Sequence, residues 1–122
     1  MITYYVNIDM ERRDSLVIKE TSAYKRDLKK LIKKHMNKEV ETIYEICEYI
    51  SIFNNMHELL SNNQTKLYGI EKKKGNLKEI YTAKVNNKLR LYLHPDGTYP
   101  YNLIEIEGII LEKIDDKHYG EG

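Results

Sequence analysis

The hydrophobic pattern of this sequence changes period near its middle, and this change constrains the fold more than any other feature. Between residues 22 and 50, apolar residues recur every three or four positions, as they do along one face of a helix. In the segment KLRLYLH (88–94), leucines instead alternate with other residues, as in a strand that buries one face. Helices followed by antiparallel strands predict an α+β sheet with the helices packed on one face.

The predicted elements follow from this pattern and from turn signals. The segment SLVIKET (15–21) is typical of a strand, Ser22 is a plausible N-cap of the first helix, and Asn37 would end that helix and cap a second. A short helical turn is predicted over 54–63. The predicted fold is therefore an N-terminal strand, two helices and a three- to four-stranded antiparallel sheet, whose strand-like segments are KLYGIE (66–71), LKEIYTAKV (77–85), KLRLYLH (88–94) and YNLIEIE (101–107).

Two turns are expected to connect these strands. The pair Asn86-Asn87 suits a two-residue hairpin turn, because asparagine tolerates positive φ. The segment HPDG (94–97) has proline and glycine where a four-residue turn favours them.

Chain length and cysteine content bound the class of protein. The 122 residues fit one domain, 1–122, in which 1–14 form an N-terminal extension and TYYVNI (3–8) an extra edge strand. The single cysteine, Cys47, excludes an internal disulfide framework and lies in an apolar-periodic stretch, where we interpret it as a core residue. Since no apolar run approaches the roughly 18 residues of a membrane span and the start lacks a secretory signal, we expect no membrane association and a cytoplasmic protein.

Charge is distributed unevenly along the chain. The formal net charge is only +1, which argues against a uniformly basic nucleic-acid binder. Residues 66–90, however, carry eight cations against two acids, whereas the segment from 103 onwards is mostly acidic. Such asymmetry can produce a local site for a polyanion that the near-neutral total conceals.

Three segments resemble RelE/HigB-type toxins of the RelE/ParE superfamily, the toxins of type II toxin–antitoxin pairs. TSAYKRDLKKL (21–31) is similar to the opening helix of those toxins, and KKKGNLKEIYTAKVNNKLRLYL (72–93) to their central motif. IDDKHYG (114–120) resembles their last strand. The resemblance implies a RelE-like fold, a metal-independent endoribonuclease that cleaves mRNA on the ribosome, and a cognate antitoxin as partner, with no cofactor or metal.

The resemblance also implies which side chains act on RNA. Such cleavage needs a base for the 2′-hydroxyl proton, cations that stabilise charge on the phosphate, and an acid for the leaving 5′-oxygen. Arg90 matches the family's active-site arginine, and Lys74 matches the lysine of the K-G motif, which would stabilise charge or act as base. His118 matches the C-terminal histidine as acid or base, with Tyr119 to stack or donate a hydrogen bond and Asp116 to orient the imidazole.

Further residues of the central motif are expected to contact RNA. Tyr92 alternates onto the same face as Arg90, where it would stack on a base. The predicted RNA-binding residues are Lys72, Lys73, Lys84, Lys88 and Tyr92.

Several alternatives stay open at the sequence level. Lys117 stands between Asp116 and His118, where a tyrosine is usual in HigB-like endings, so a ParE-like gyrase inhibitor or a degenerate binding module is an alternative function. Arg90 could instead form an ion pair with a glutamate such as Glu105 or Glu107. The cationic face of the first helix is either solvated or a contact for ribosomal RNA, and the three histidines His35, His57 and His94 are interpreted as surface or turn residues without metal-ligand spacing.

Overall fold

A computed structural model describes residues 15–73 and 80–116 and contains a five-stranded sheet covered on one face by helices. The helices among these residues are α1 (Ser22–Lys33), α2 (Asn37–Ser51) and α3 (Met56–Ser61), followed by a 3₁₀ helix (Asn63–Tyr68). The strands are β1 (Val17–Glu20), β2 (Glu71–Lys72), β3 (Tyr81–Lys84), β4 (Leu89–Pro95) and β5 (Gly108–Asp116). The predicted α+β class is confirmed.

The strands are ordered β1-β5-β4-β3-β2 across the sheet. Neighbours are antiparallel except β1, which runs parallel to β5 with Val17 opposite Gly108. The N-terminal strand therefore joins the same sheet as the C-terminal strands and forms one of its edges. The predicted edge strand at 3–8 lies outside the described residues.

The hydrophobic core fills the space between the helices and one face of the sheet. Ile43, Ile46 and Ile50 of α2 are fully buried there, together with Leu91 and Leu93 of β4. Burying each such side chain contributes about 1.5–3 kcal/mol, which makes this layer the main source of stability. Both predicted periods are confirmed by these positions.

Thr21, rather than the predicted Ser22, caps α1 and ties it to the sheet. Its Oγ1 accepts the Tyr24 N–H at 3.0 Å and donates to the Glu112 carbonyl at 2.7 Å. One turn later, the Asp27 carboxylate accepts the Ile114 N–H at 3.1 Å. Since β1 pairs with β5 only as far as residue 111, side chains of Thr21 and Asp27 form the hydrogen bonds of the β5 backbone beyond that point.

Two segments predicted as strands have other structures. Residues 63–68 form the 3₁₀ helix, so that of the predicted segment 66–71 only Glu71, together with the following Lys72, pairs in the sheet. Residues 101–107 form an irregular connection, and the final strand begins at Gly108. The alternating pattern of residues 101–107 predicts a strand, but the backbone carbonyls of this segment accept the first N–H groups of α3 instead of pairing in the sheet. The Ile106 carbonyl, for example, accepts the Met56 N–H at 3.0 Å.

The β3–β4 hairpin loop is wider than the predicted two-residue turn. The Val85 N–H donates to the Leu89 carbonyl at 3.1 Å, which leaves residues 86–88 as the loop. The Asn86 side chain closes this loop by accepting the Lys88 and Leu89 N–H groups at 2.8 and 2.7 Å. Neither Asn86 nor Asn87 has positive φ, so the expected primed turn was wrong. The HPDG turn was also misplaced, because β4 continues through Pro95.

Candidate nucleic-acid interface

The sheet face opposite the helices, called the open face, carries most of the residues that the sequence singled out. Leu91 and Leu93 point into the core, so the alternate residues of β4 point to the open face, and the register extends this to the neighbouring strands. The open-face residues are Val17, Lys19, Glu71, Thr82, Lys84, Arg90, Tyr92, His94, Ile110, Glu112, Lys113 and Asp115.

Lys84 and Arg90 form a cation pair at the hairpin end of the open face. They are directly opposite each other on β3 and β4, which brings their Cβ atoms to about 5 Å. The Arg90 Nη1 donates to the carbonyls of Asn86 at 2.6 Å and Leu89 at 3.0 Å. These carbonyls hold the guanidinium in place without neutralising it.

Within the described part of the chain, neither cation of this pair lies at ion-pair distance from a carboxylate. The alternative in which Arg90 pairs with Glu105 or Glu107 is therefore wrong. Asp115, opposite Arg90 on β5, directs its carboxylate to the Asp116 N–H at 2.7 Å and to Lys113 Nζ at 3.8 Å. Two like charges placed side by side destabilise a sheet, which favours a role in binding an anion.

The opposite end of the open face is electrostatically paired. Lys19 Nζ lies 2.7 Å from Asp96 Oδ2, and His94 Nε2 lies 2.9 Å from Glu112 Oε2. The positive charge of the open face is consequently concentrated at the hairpin end, beside Lys84.

His94 is a strand residue at the surface of the open face and not a turn residue. Its Nδ1 lies 3.1 Å from the Pro95 carbonyl, while its Nε2 faces Glu112. Both contacts are hydrogen bonds together only when each ring nitrogen carries a proton. Four residues separate His94 from Arg90, about 13 Å along a strand at 3.3 Å per residue, so the two cannot act on one phosphate.

A β-bulge in β5 places Glu112 and Lys113 on the same face. Tyr92 is opposite Lys113, but Leu93 is opposite Leu111, so Glu112 is an extra residue in β5. Without this insertion, one of the two charged side chains would point into the core. The sequence signal is the spacing of the buried residues Leu111 and Ile114, three positions apart instead of two.

Tyr92 is on the predicted face but is not an exposed stacking surface. Only 3% of the residue is exposed, and its hydroxyl donates to the Asp116 carbonyl at 3.0 Å. Lys113 Nζ lies 5.0 Å from the centre of the ring, a cation–π distance. The structure thus assigns Tyr92 a packing role at the base of the open face.

The other predicted residues are spread around this site. Lys88 is exposed in the hairpin loop. Lys72 is opposite Tyr81, whose ring is in the core, so Lys72 lies on the helical side of the edge strand. The Lys73 N–H donates to the Ile80 carbonyl at 2.7 Å, beside the open face. Three predicted catalytic residues, Lys74, His118 and Tyr119, lie outside the described residues.

Gly69 supports Lys84 and was missed by the sequence analysis. It ends the 3₁₀ helix with φ of 66°, in the left-handed region that favours glycine. A Cβ at this position would lie 2.6 Å from the Lys84 Cβ and 3.1 Å from the Lys84 nitrogen. The glycine therefore permits a close approach of the backbone to the strand that carries the cation pair.

We expect Gly69→Ala to lower the free energy of unfolding by about 1–3 kcal/mol, through backbone strain and the clash with β3. Urea denaturation measures this effect. Gly97→Ala is the matched control, because a Cβ there would meet side-chain atoms only, Ile106 Cδ1 at 2.7 Å and the Tyr101 ring at 3.6 Å, and φ is not positive. Equal losses in the two variants would contradict the supporting role of Gly69.

Neither a metal site nor a membrane span is found in the described residues. No three His, Cys, Asp or Glu side chains within 15–73 and 80–116 have a geometry that would hold a metal ion. None of the helices there combines the length and apolar character needed to cross a membrane.

Comparisons with known proteins identify the fold. No model of a protein family matches the sequence, and no curated protein matches it as a relative. Among solved structures, the YoeB–YefM complex from Staphylococcus aureus matches with a TM-score of 0.55 and 20% identity, over 82% of this chain and 94% of that one. The Escherichia coli DinJ–YafQ complex matches with a TM-score of 0.57 and 14% identity, over 88% and 99%.

A third structure, a metal-bound toxin from Helicobacter pylori, matches with a TM-score of 0.57 and 16% identity, over 84% of this chain and 94% of that one. These similarities cover nearly the full length of the solved chains. The chain therefore has the fold of these toxins, as the resemblance to RelE/HigB-type proteins implied.

Proposed function

We propose that this protein is the toxin of a type II toxin–antitoxin pair and cleaves RNA at the hairpin end of its open face. The observation that carries the proposal is the unneutralised pair Lys84 and Arg90, adjacent in register on a toxin-like fold. A site for an RNA phosphate requires such concentrated positive charge, and a purely structural surface does not.

Arg90 would bind the scissile phosphate and stabilise the charge that develops on it. Only its Nη1 is engaged by the hairpin carbonyls of Asn86 and Leu89, so Nη2 and Nε can bind two phosphate oxygens. Because the guanidinium is already held in place, little reorganisation is needed when charge builds in the transition state.

Lys84 would supply a second positive charge on the same phosphate. Its side chain is exposed and neighbours Arg90 on the adjacent strand. A lysine of this kind acts as a point charge, whereas arginine fixes the orientation of the phosphate. The two cations thus have complementary roles.

The acid and the base of the reaction remain those that the sequence resemblance implies, His118 and Lys74, with Tyr119 and Asp116 assisting. His94 and Glu112 resemble an acid–base pair in chemistry, but their distance along the strand places them at a different nucleotide from Arg90.

The proposed partners follow from the same comparison. Four of the similar structures are complexes, two of YoeB with YefM and two of DinJ with YafQ, and one of each two is named as a toxin–antitoxin complex. We therefore propose a cognate antitoxin as the protein partner. The substrate that we propose, mRNA on the ribosome in the cytoplasm, is the one that the sequence resemblance implies. Holding the mRNA in a fixed geometry would favour in-line attack by the 2′-hydroxyl.

The test is a cell-free translation reaction with a defined mRNA, in which new 5′ ends are mapped by primer extension. Cuts at codon-related positions that require ribosomes would support the proposal in full. Cuts on free RNA would support the proposed nuclease activity and show that it does not require the ribosome. Intact mRNA, followed by inhibition of gyrase in a supercoiling assay, would instead support the ParE-like alternative.

A further inference from the structure

The outward face of α1 is a cationic surface. The helix carries five cations, Lys25, Arg26, Lys29, Lys30 and Lys33. Its one acid, Asp27, is half-buried and accepts the Ile114 N–H at 3.1 Å. Across residues 15–73 and 80–116, no carboxylate lies at ion-pair distance from any of the five cations.

The same face contains an apolar pair, the half-buried Leu28 and the exposed Ile32. A shallow groove of about 380 Å³ is lined by Leu28 and Ile32, one helical turn apart, and by Lys25, Arg26 and Lys29. Ile32 is 48% exposed although it belongs to the apolar periodicity of the helix. The core contacts one side of α1 through Tyr24 and Leu31, so Ile32 is left at the rim.

We propose that this groove binds an acidic amphipathic helix of a partner protein. Apolar side chains of that helix would pack on Leu28 and Ile32, and its carboxylates would pair with the surrounding cations. The cations extend from Lys25 to Lys33, a rise of about 12 Å, which matches about two turns of a helix. The identification of the partner as the antitoxin rests on the proposed function, but the docking chemistry does not.

The apolar pair distinguishes a protein partner from RNA. A polyanionic backbone would be attracted by Lys25, Arg26 and Lys29 but gains little from an aliphatic floor. An amphipathic helix uses both components, since its apolar stripe repeats with the spacing of Leu28 and Ile32.

A binding experiment with synthetic probes tests this proposal. The first probe is a fluorescein-labelled 18-residue helical peptide with leucines along one face and glutamates on the others. The second has serine in place of each leucine and the same charge, and the third is a labelled 12-nucleotide oligouridylate. Fluorescence anisotropy measures the Kd of each probe for the full chain. We expect the Kd of the leucine peptide to be at least about tenfold lower than that of the serine peptide.

Ile32→Ser is expected to remove that preference for leucine. Ile52→Ser is the matched control, because Ile52 is 67% exposed at the end of α2, outside the groove. Lys29→Glu should weaken both acidic peptides by about threefold or more, while Lys38→Glu on α2 should weaken them less. Circular dichroism confirms that each variant is folded.

Equal affinity for the two peptides, or a leucine preference that survives Ile32→Ser, would overturn the proposal. So would oligouridylate binding that is tighter than peptide binding and depends on Lys29 but not on Ile32, since it would assign this face to RNA. None of these measurements uses RNA cleavage, so their failure is separable from a failure of the proposed nuclease.

Discussion

Arg90→Ala should lower the rate of RNA cleavage by about 10²- to 10³-fold, the effect of removing one preorganised donor from a developing negative charge. The guanidinium of Arg90 is fixed by two hairpin carbonyls, and no carboxylate among the described residues lies at ion-pair distance from it. A bound phosphate would therefore meet a charge that is already oriented. Lys84 alone supplies charge without this orientation, so it would not compensate.

Arg90→Lys keeps the positive charge but removes the planar guanidinium, so it separates the effect of charge from the effect of orientation. If orientation is the main contribution, the lysine variant should recover at most about tenfold of the lost rate, because it cannot bind two phosphate oxygens. Single-turnover cleavage of a defined mRNA measures both variants, and Lys38→Ala on the helical side serves as the control for loss of a cation. Full activity of Arg90→Ala would place the chemistry elsewhere.

A loss of structure must be distinguished from a loss of chemistry, since Arg90 Nη1 also braces the hairpin. Replacing it leaves the Asn86 and Leu89 carbonyls to solvent, at a cost of about 1 kcal/mol. The urea midpoints of the alanine and lysine variants should accordingly differ little from wild type. A variant that is folded by this measure and inactive supports the proposed role.

The helices and the central strand could be predicted from the sequence because their apolar residues face one continuous core. Ile43 and Ile50 in α2, and Leu91 and Leu93 in β4, are buried as their periods require. The segment 101–107 has a similar alternation, yet its carbonyls serve the start of α3. The period of the apolar residues indicates which side chains are buried, but it does not indicate which groups the backbone N–H and C=O groups bond to.

The cation pair depends on the register between β3 and β4, and the predicted two-residue loop implied the wrong register. A two-residue loop at Asn86-Asn87 would place Lys84 opposite Leu89 and mix polar and core residues on each face. The three-residue loop places Lys84 opposite Arg90 and Ala83 opposite Leu91, which keeps the two faces distinct. The alternation of β4 already contained the information needed to reject the shorter loop.

Two features of the site have a weaker signal in the sequence. The bulge at Glu112 is visible only as a three-residue spacing between Leu111 and Ile114, which a helix would also explain. The left-handed Gly69 is one of six glycines, and nothing local shows that it packs against a strand fifteen residues later. Both depend on contacts between distant parts of the chain.

Stability should fall steeply at alkaline pH because two neighbouring ionisable groups, the buried Tyr24 of α1 and the half-buried Cys47 of α2, are largely shielded from solvent. Burial raises the pKa of the Cys47 thiol to about 11, an effect that a hydrogen bond from Tyr24 partly offsets. Burial, reinforced by the neighbouring Cys47, also raises the pKa of the Tyr24 hydroxyl. Both groups therefore stay protonated in the folded protein over a pH range in which the same groups of the unfolded chain lose their protons.

The sign follows from proton linkage. Above the pKa of an unfolded thiol, near 8.5, the unfolded chain binds fewer protons than the folded one, so each rise in pH favours unfolding until about pH 11. The stabilisation from Cys47 is complete below pH 8.5, and on the order of 3 kcal/mol is lost over this window. Tyr24 contributes in the same direction above its unfolded pKa near 10.

Urea denaturation at pH 7, 9, 10 and 11 measures this loss, and two variants isolate its origin. Cys47→Ala removes the thiol and should flatten the decline above pH 9 relative to wild type. Tyr24→Phe keeps the ring while removing the hydroxyl, so it should flatten the decline above pH 10. Lysine deprotonation affects all three proteins alike and cancels in the comparison. Parallel declines would show that the buried pair does not control alkaline stability. A flattened decline in Cys47→Ala would establish that the pKa of the folded thiol is raised, which favours a packing role for Cys47 over a role as a nucleophile.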